Sequence, residues 1–282
     1  MAYTTTTLLD AIAKIAAVPV AQTTFENQDI LDIASQCIET EILPKVLMSR
    51  QDFYVVAETF TPSLYGSDLY PSFRIPSRAV GQAIIGAYHT ATDDPIDPTY
   101  YWVEGSRVYF DSDAPSSVRI RYYIRPGKLV QTSDVATITD IDTSTGVLTV
   151  SSVPSTISTG ILCDLIRSRA GFDSLAVDKA VVSTDSTSIT FSTSDLPSDL
   201  AVGDYIALAD QSPVPQIPIE WIPFLGYWTA HSMLETLGDM EAAAQLLKRM
   251  PRMEKNALSL ISPRVESKSK AITRPRNYYW RW

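Results

Sequence analysis

The residues of this sequence best suited to chemistry are aspartates that come in close groups between predicted strands. Asp93, Asp94 and Asp97 form one group, and Asp111 and Asp113 form a second. Paired carboxylates can act as acid and base, or can bind calcium. The same spacing is also ordinary turn chemistry, because aspartate side chains hydrogen-bond to nearby backbone. The segment around Asp111 lacks the alternating ligands and the glycine of a calcium loop.

The two histidines and the two cysteines are isolated from one another in the sequence. Cys37 and Cys163 belong to no CxxC motif or Cys/His cluster, so we expect two reduced, buried thiols and no metal site. We expect His89 to lie at the surface or to cap a strand, and His231 to be packed or hydrogen-bonded on a helix. The glycine-rich nucleotide-binding motifs and the nucleophile elbow are missing. Their absence disfavours a nucleotide-driven motor and a hydrolase with those signatures, and we expect no enzyme activity and no cofactor.

A basic and aromatic segment, Ser262–Trp282, ends the sequence. Six of its residues are basic, one is acidic, and Pro263 and Pro275 interrupt it. Because it has no apolar period, we expect an extended arm rather than a helix. Aromatics and arginines at a chain end are typical of binding anchors. The alternative is a disordered, solvated tail.

The net charge of the 282-residue chain is −9 and is unevenly distributed. The arm carries +5, so residues 1–261 carry −14. An acidic body with a basic arm suits copies that pack side by side, or an arm that reaches an acidic partner. It argues against general nucleic-acid binding, because the body would repel phosphate. No stretch approaches the roughly 18 apolar residues of a membrane helix, and the N-terminus lacks the basic region of a signal peptide. We therefore expect no membrane partner and no export by the usual route.

Apolar residues recur at helical spacing near both ends of the chain. In the N-terminal part, the pattern predicts a helix over residues 4–18 and a longer one that Asn27 caps and Pro44 kinks. In the C-terminal part, it predicts a helix that ends near Gly238 and another that Asp239 caps. These segments are the expected helical core.

Between these helices the apolar period changes to two, which is typical of strands. Hairpins are predicted around Gly105 and around Thr145-Gly146, and Val118–Tyr123 alternates strictly. Residues 131–212 are rich in Ser, Thr, Val, Ile and Asp, and their turn spacing indicates a small sandwich or barrel. The other predicted extended segments are Phe53–Phe60, Phe73–Ser77, Ala83–Thr90, Ile161–Ile166, Ala180–Val182, Ser188–Ser192 and Asp204–Ala209.

These elements predict an α+β fold. A helical bundle formed from both termini is expected to hold a central β region, a small sandwich or barrel, and to end in an extended C-terminal arm. The expected domains are a helical core (1–52 and 213–261), a β region (53–130), a Ser/Thr-rich β insertion (131–212) and the arm (262–282).

Four segments together carry a resemblance to a known family. They are FRIPSRAVG at Phe73–Gly81 with the later YYWVEGSRVYF, VRIRYYIRPGKLV at Val118–Val130, and IPIEWIPFLGYWTAHSMLETLGD at Ile217–Asp239. With them the chain resembles the head–tail connector proteins of tailed bacteriophages, also called adaptor, neck or tail-accessory proteins. The resemblance covers residues 25–130 and 213–282. Residues 131–212 match nothing in that family.

The resemblance implies a structural protein of the virion at the head–tail junction, made in the host bacterial cytoplasm. It implies a homo-oligomeric ring, usually a dodecamer, that binds the portal protein and links it to the tail or to a further neck protein. DNA would pass through the lumen without specific binding. In such rings an extended C-terminal segment climbs onto the portal. From residue type we expect the portal-docking residues to be Arg264, Arg274, Arg276, Tyr278, Tyr279, Trp280 and Trp282.

Two other functions fit the sequence. The first is a tail or baseplate module that binds carbohydrate through exposed aromatics of residues 131–212, where the sequence offers Phe172, Phe191 and Tyr205. The second is a glycan-cleaving enzyme that uses the carboxylates of Asp93 and Asp94. The favoured expectation is a connector without enzyme activity.

Overall fold

The structure is a computed structural model that describes residues 3–17, 24–66, 69–111, 115–168, 171 and 174–262. All the expected docking residues lie outside this part of the chain: Arg264, Arg274, Arg276, Tyr278, Tyr279, Trp280 and Trp282. The extended arm and its docking role therefore stay predictions.

Six α-helices lie in the described part of the chain, three near each terminus. Gly238, with a φ of 81°, ends the fourth helix, and the Asp239 side chain accepts the N–H of Ala242 at the start of the fifth. Both predicted helix boundaries are confirmed. The helices are α1 (Thr5–Ala16), α2 (Asn27–Cys37), α3 (Leu43–Ser49), α4 (Ile222–Leu237), α5 (Met240–Leu247) and α6 (Met250–Ile261).

A π-helical turn, Ile38–Ile42, separates α2 from α3. Proline has no N–H to donate to the carbonyl four residues earlier. Just before Pro44, the N–H of Leu43 bonds to the Ile38 carbonyl, five residues back. Pro44 itself occupies the first turn of α3, where its missing N–H has little cost. The irregularity expected from Pro44 takes the form of this π turn.

Sixteen strands lie in the described residues between α3 and α4. Half of them precede residue 131: β1 (Val55–Phe60), β2 (Ser63–Leu64), β3 (Pro71–Arg74), β4 (Gly86–His89), β5 (Tyr101–Glu104), β6 (Arg107–Phe110), β7 (Val118–Tyr123) and β8 (Lys128–Leu129). The others are β9 (Ala136–Asp142), β10 (Val147–Val150), β11 (Leu162–Ile166), β12 (Ser174–Ala180), β13 (Ser183–Thr184), β14 (Ser188–Thr190), β15 (Tyr205–Leu208) and β16 (Gln211–Ser212).

The described strands form four sheets. Their orders are β1-β7-β4, β2-β3-β6-β5, β12-β11-β15-β9-β10-β14-β13, and the short parallel pair β16-β8. The two predicted hairpins are present, β5–β6 with Gly105 in its turn and β9–β10 with Gly146 in its turn. Val118–Tyr123 is the central strand β7, and its residues alternate between buried and half-buried as the sequence predicts.

The predicted architecture, a helical bundle from both termini around a small central sandwich or barrel, is wrong. In the described residues the chain is mostly β, with one sheet of seven strands, and the helices lie mainly near the two termini. The buried side chains of the helices share one cluster with Tyr54, Leu129 and Ile217, which lie outside the six α-helices. The helical faces are therefore covered in part by the β regions.

Each β region also has a core of its own. Phe73, Phe110 and Ile120 belong to the core of the first, and Leu148, Leu165 and Ile206 to the core of the second. Only Val177, on β12, crosses over to pack with the first core among the buried residues described. The boundaries predicted for the domains remain predictions.

Candidate functional site

The outer face of the four-stranded sheet is the first candidate for a binding surface. Side chains alternate along a strand, and in this sheet Phe73, Val108 and Phe110 are buried in the core. Their neighbours in the sequence therefore lie on the opposite face. That face carries Trp102 and Tyr109, which are directly paired across β5 and β6.

An arginine lies across this face and holds it together. The Arg107 guanidinium donates from Nε and Nη2 to Ser72 Oγ, at 3.1 and 2.9 Å, and so connects β6 with β3. The ring of Tyr65 stacks on the guanidinium, with its centroid 4.1 Å from Cζ. Ser72 is thereby buried, although it lies on the outer side of the sheet.

Three aromatic rings extend the same surface. Trp102 and Tyr109 stack with centroids 5.6 Å apart, and Tyr70 meets Trp102 edge-on at 5.1 Å. Tyr65 is 62 % exposed, Tyr70 41 % and Trp102 38 %. We call this surface the aromatic face, and it consists of Tyr65, Tyr70, Trp102, Arg107 and Tyr109.

The aromatic face has the composition of a protein-binding surface. Trp, Tyr and Arg are the residue types that carry most binding energy in interfaces. Beside it, Leu64 at the end of β2 is 65 % exposed, and Leu69, shortly before β3, is 86 % exposed. Exposed apolar patches of this kind mark interaction sites. The sequence analysis did not single out this face, although the alternation in YYWVEGSRVYF places aromatics on both sides of the hairpin.

A buried ion-pair cluster joins the two β regions. Arg78 is only 5 % exposed, and its Nη1 lies 2.6 Å from Oδ2 of Asp164, which is fully buried. Arg78 Nε lies 3.3 Å from Asp210 Oδ1, close enough for an ion pair but not aligned for a hydrogen bond. Asp178 Oδ1 is 3.9 Å from Nη1. One arginine of the first β region thus faces three aspartates of the second, and we call these four residues the Arg78 cluster.

Burial sets the protonation behaviour of this cluster. Loss of water around the carboxylates raises the pKa of Asp164 and of Asp210, and the charge of Arg78 only partly offsets it. Nearby on β1, burial also raises the pKa of Glu58, whose carboxylate is hydrogen-bonded by Tyr122. Perturbed carboxylates occur at functional sites, but also in structural ion-pair networks. Because the Arg78 cluster lies between the two β regions, we interpret it as a structural ion-pair network and not as a functional site.

Two of the aspartates considered for a catalytic pair or a metal site, Asp93 and Asp97, are engaged in ion pairs or hydrogen bonds with other side chains and backbone. Asp93 pairs with Arg121 at 2.7 Å and with Arg119 at 3.4 Å. Asp97 accepts the N–H and the hydroxyl of Thr99 at 2.9 and 2.8 Å, which lowers the pKa of Asp97. Asp94 is exposed.

A cavity of about 300 Å³ lies beside these aspartates, lined by His89, Asp97 and Asp111 among others. The structure brings Asp97 and Asp111 to this cavity, while Asp113 lies outside the described residues. The lining of the cavity is mostly apolar and comes from Ile96, Phe110 and neighbouring side chains.

The histidines and cysteines behave as predicted. His89 is exposed at the end of β4, and His231 Nδ1 lies 3.1 Å from the Ala243 carbonyl oxygen. Cys37 and Cys163 are free and buried, and burial raises the pKa of the Cys163 thiol to about 12. Within the described ranges, no group of three or more His, Cys, Asp or Glu side chains is arranged to hold a metal ion.

The aromatics considered for carbohydrate binding do not line an open cleft. Phe191 and Tyr205 are buried, at 1 % and 8 % exposure, and Phe172 lies outside the described residues. Among the described residues, the most exposed aromatics lie instead in residues 53–130, with Tyr65, Tyr70 and Trp102 on the aromatic face and Tyr100 at the cavity beside Asp97.

Compared with known proteins, the chain matches no family model, and no curated protein or solved structure is significantly similar to it. In the part of the chain that the structure describes, no helix is both long enough and apolar enough to cross a membrane.

Proposed function

We propose that the protein is a structural head-to-tail connector of a tailed bacteriophage. In this proposal it forms a ring that docks onto the portal through Ser262–Trp282, links the portal to the tail and leaves a channel for DNA. It acts by binding and not by catalysis. The proposal starts from the resemblance of Phe73–Gly81, Val118–Val130 and Ile217–Asp239 to the connector proteins.

The observation that carries the proposal is the aromatic face. The outer side of this sheet exposes Tyr65, Tyr70 and Trp102. Exposed apolar patches of this kind mark interaction sites, so the aromatic face is suited to bind a partner. The basic arm, Ser262–Trp282, would supply a second binding surface, which is positively charged. A protein with two different surfaces for partners is suited to join two structures, which is what a connector does.

The charge of the body supports the same role. Residues 1–261 carry −14, so a ring of such bodies would present carboxylates to any DNA that passes through it. Phosphate is repelled by a carboxylate-lined channel, and the DNA would then slide without binding. The ring would be held by many contacts that are individually weak.

Deletion of residues 263–282 tests the docking role. We expect the shortened protein to keep its fold, by circular dichroism, and to lose attachment to portal-bearing heads in electron micrographs. The matched control changes only the aromatic face, Trp102→Ala, and should leave attachment to the portal intact. Normal assembly of the deleted chain onto heads would contradict the proposal.

A second function, a carbohydrate-binding module of the tail or baseplate, is favoured by one observation. Trp102 and Tyr109 are stacked on an outer sheet face, and sugar rings bind to exposed aromatics of this kind. In this case host polysaccharide should quench the tryptophan fluorescence of the intact protein, and Trp102→Ala should remove the quenching. If polysaccharide leaves the emission unchanged at saturating concentration, this second function is excluded.

A further inference from the structure

The two β regions face each other across a groove, and each contributes an edge strand to it. β1 is outermost in its three-stranded sheet, and β12 is outermost in the seven-stranded sheet. The groove measures about 760 Å³ and continues into a second cavity of about 290 Å³. Both parts are lined by Ala57 and Glu58 from β1 and by Val177 and Lys179 from β12.

The edge of β1 presents backbone hydrogen-bonding groups to this groove. At one end of the β1–β7 ladder, the Ile124 N–H donates to the Tyr54 carbonyl. Because hydrogen-bonded pairs alternate in an antiparallel ladder, the N–H and C=O groups of Val55, Ala57 and Thr59 point away from β7. The described strands place no further strand on that edge. An open edge of this kind is a template for another extended chain.

Apolar and charged side chains line the groove around this edge. Glu58, Asp178 and Asp195 supply carboxylates, Arg74 and Lys179 supply positive charges, and Lys179 lies 3.3 Å from Asp195. The wall that β12 provides belongs to residues 131–212, which hold eleven aspartates and three basic residues, a net charge of −8. The apolar lining comes from Val56, Phe60, Ile75, Pro76, Leu175, Val177, Leu196 and Pro197.

We propose that this groove binds Ser262–Trp282 of a second copy of the chain, as an extended strand added to the edge of β1. Addition of a strand to an open sheet edge is a recurring mode of peptide recognition, with affinity from main-chain hydrogen bonds and specificity from side chains. The segment carries +5, and residues 131–212, to which β12 belongs, carry −8. Its aromatic residues match the apolar lining.

The length of the segment allows a second copy to be reached. Twenty residues follow Ser262, and extended they span at most about 72 Å. The two prolines of the segment lack N–H donors, which is tolerated in a strand that pairs along one side only. This inference does not depend on the connector role, since two copies of the chain suffice for it. A portal would compete with the groove for the same segment.

The experiment measures self-association of the full chain by sedimentation velocity over a range of concentrations. Ala57→Pro removes one edge N–H without removing a β1–β7 hydrogen bond, and Ala57→Thr keeps that N–H. We expect Ala57→Pro to weaken self-association about three- to tenfold, the value of one lost hydrogen bond. Ala57→Thr should leave it unchanged. A wild-type chain that stays monomeric, or equal association of the two variants, would overturn the proposal.

Cross-linking between copies tests the occupant of the groove. Equal amounts of ¹⁵N-labelled and unlabelled chains are mixed and treated with a carbodiimide, which joins Lys268 or Lys270 to a nearby carboxylate. We expect cross-linked peptides of mixed isotope that join these lysines to Glu58 or Asp195. Links found only within one isotope would place the segment in its own chain and would overturn the proposal. If Ala57→Pro does not fold, Thr59→Pro with Thr59→Val as its control makes the same test.

Discussion

The two β regions of this protein have similar secondary structure and opposite surface chemistry. Residues 53–130 contain fourteen of the 27 aromatic residues and have a net charge of −1, whereas residues 131–212 contain three aromatics and have a net charge of −8. In the first region aromatic rings are exposed on the aromatic face. In the second, Phe191 and Tyr205 are buried. The aromatic face therefore belongs to the first region, and most of the net negative charge of the two regions belongs to the second.

The turns show how the second region is stabilised without aromatics. Asp142 accepts three hydrogen bonds, from the N–H and the hydroxyl of Ser144 and from the hydroxyl of Thr145, and these lower the pKa of Asp142 to about 2. Asp185 accepts from the N–H groups of Thr187 and Ser188 in the same way, and its pKa is also lowered. Such turns fix hairpins through local bonds while their charges stay in water.

The largest effect should come from breaking the joint between the two regions. In Arg78→Met, the carboxylate of Asp164 stays buried without its guanidinium, and we expect a loss of about 3–5 kcal/mol in the free energy of unfolding. The same change at Arg125, whose ion pair with Glu39 is exposed, should cost about 0–1 kcal/mol. Urea denaturation followed by circular dichroism measures both. Equal losses in the two variants would mean that the Arg78 cluster does not join the regions.

A smaller effect is expected from a turn within the second region. Gly146 has a φ of 78°, and a Cβ placed there would lie 2.2 Å from the carbonyl oxygen of Phe191. Gly160 has a similar φ of 84° but open space around it. Gly160→Ala should therefore cost only the left-handed backbone strain, about 1–2 kcal/mol, and Gly146→Ala should cost more. Thermal unfolding of the two variants side by side measures the difference, and an equal loss would show that the backbone at Phe191 moves away without cost.

Local features of the fold could be predicted from the sequence because they depend on neighbouring residues. Gly238 and Asp239 mark a helix end and a helix start, and each acts through contacts within a few residues. Gly105 and Gly146 identify two hairpins for the same reason. The strict alternation of Val118–Tyr123 predicts a strand, because every second residue of it is buried in the core of the first β region.

The arrangement of the sheets could not be predicted in this way, because it depends on residues far apart in the sequence. β12 pairs with β11 and β15 pairs with β9, and no local pattern indicates these partners. The Arg78 cluster brings together residues 78, 164, 178 and 210. Arg78 lies in FRIPSRAVG, where nothing in its neighbourhood distinguishes it from an exposed arginine. The helical patterns are strong and predict a bundle, whereas the β residues that cover those helices are spread over the chain.

The smallest effect, and the one that depends on pH, concerns Glu58 at the boundary of the two regions. Burial raises the pKa of Glu58 in the folded state above its usual value. A raised carboxylate pKa contributes stability that is fully present below the unfolded pKa of about 4.3 and is lost as pH rises through the folded pKa. Glu58→Gln keeps an acceptor for Tyr122 and has no charge to lose. The variant should therefore be more stable than the natural chain at pH 7, and the two should converge as pH falls toward 4.

Urea denaturation at several pH values measures this difference, with Asp142→Asn as the opposite control. That variant should be less stable at pH 7, because its lowered pKa contributes stability above the unfolded pKa, lost as pH falls. If the difference between Glu58→Gln and the natural chain does not change with pH, the carboxylate of Glu58 is no more buried than those of the exposed turns, and the contrast between the two regions does not extend to their boundary.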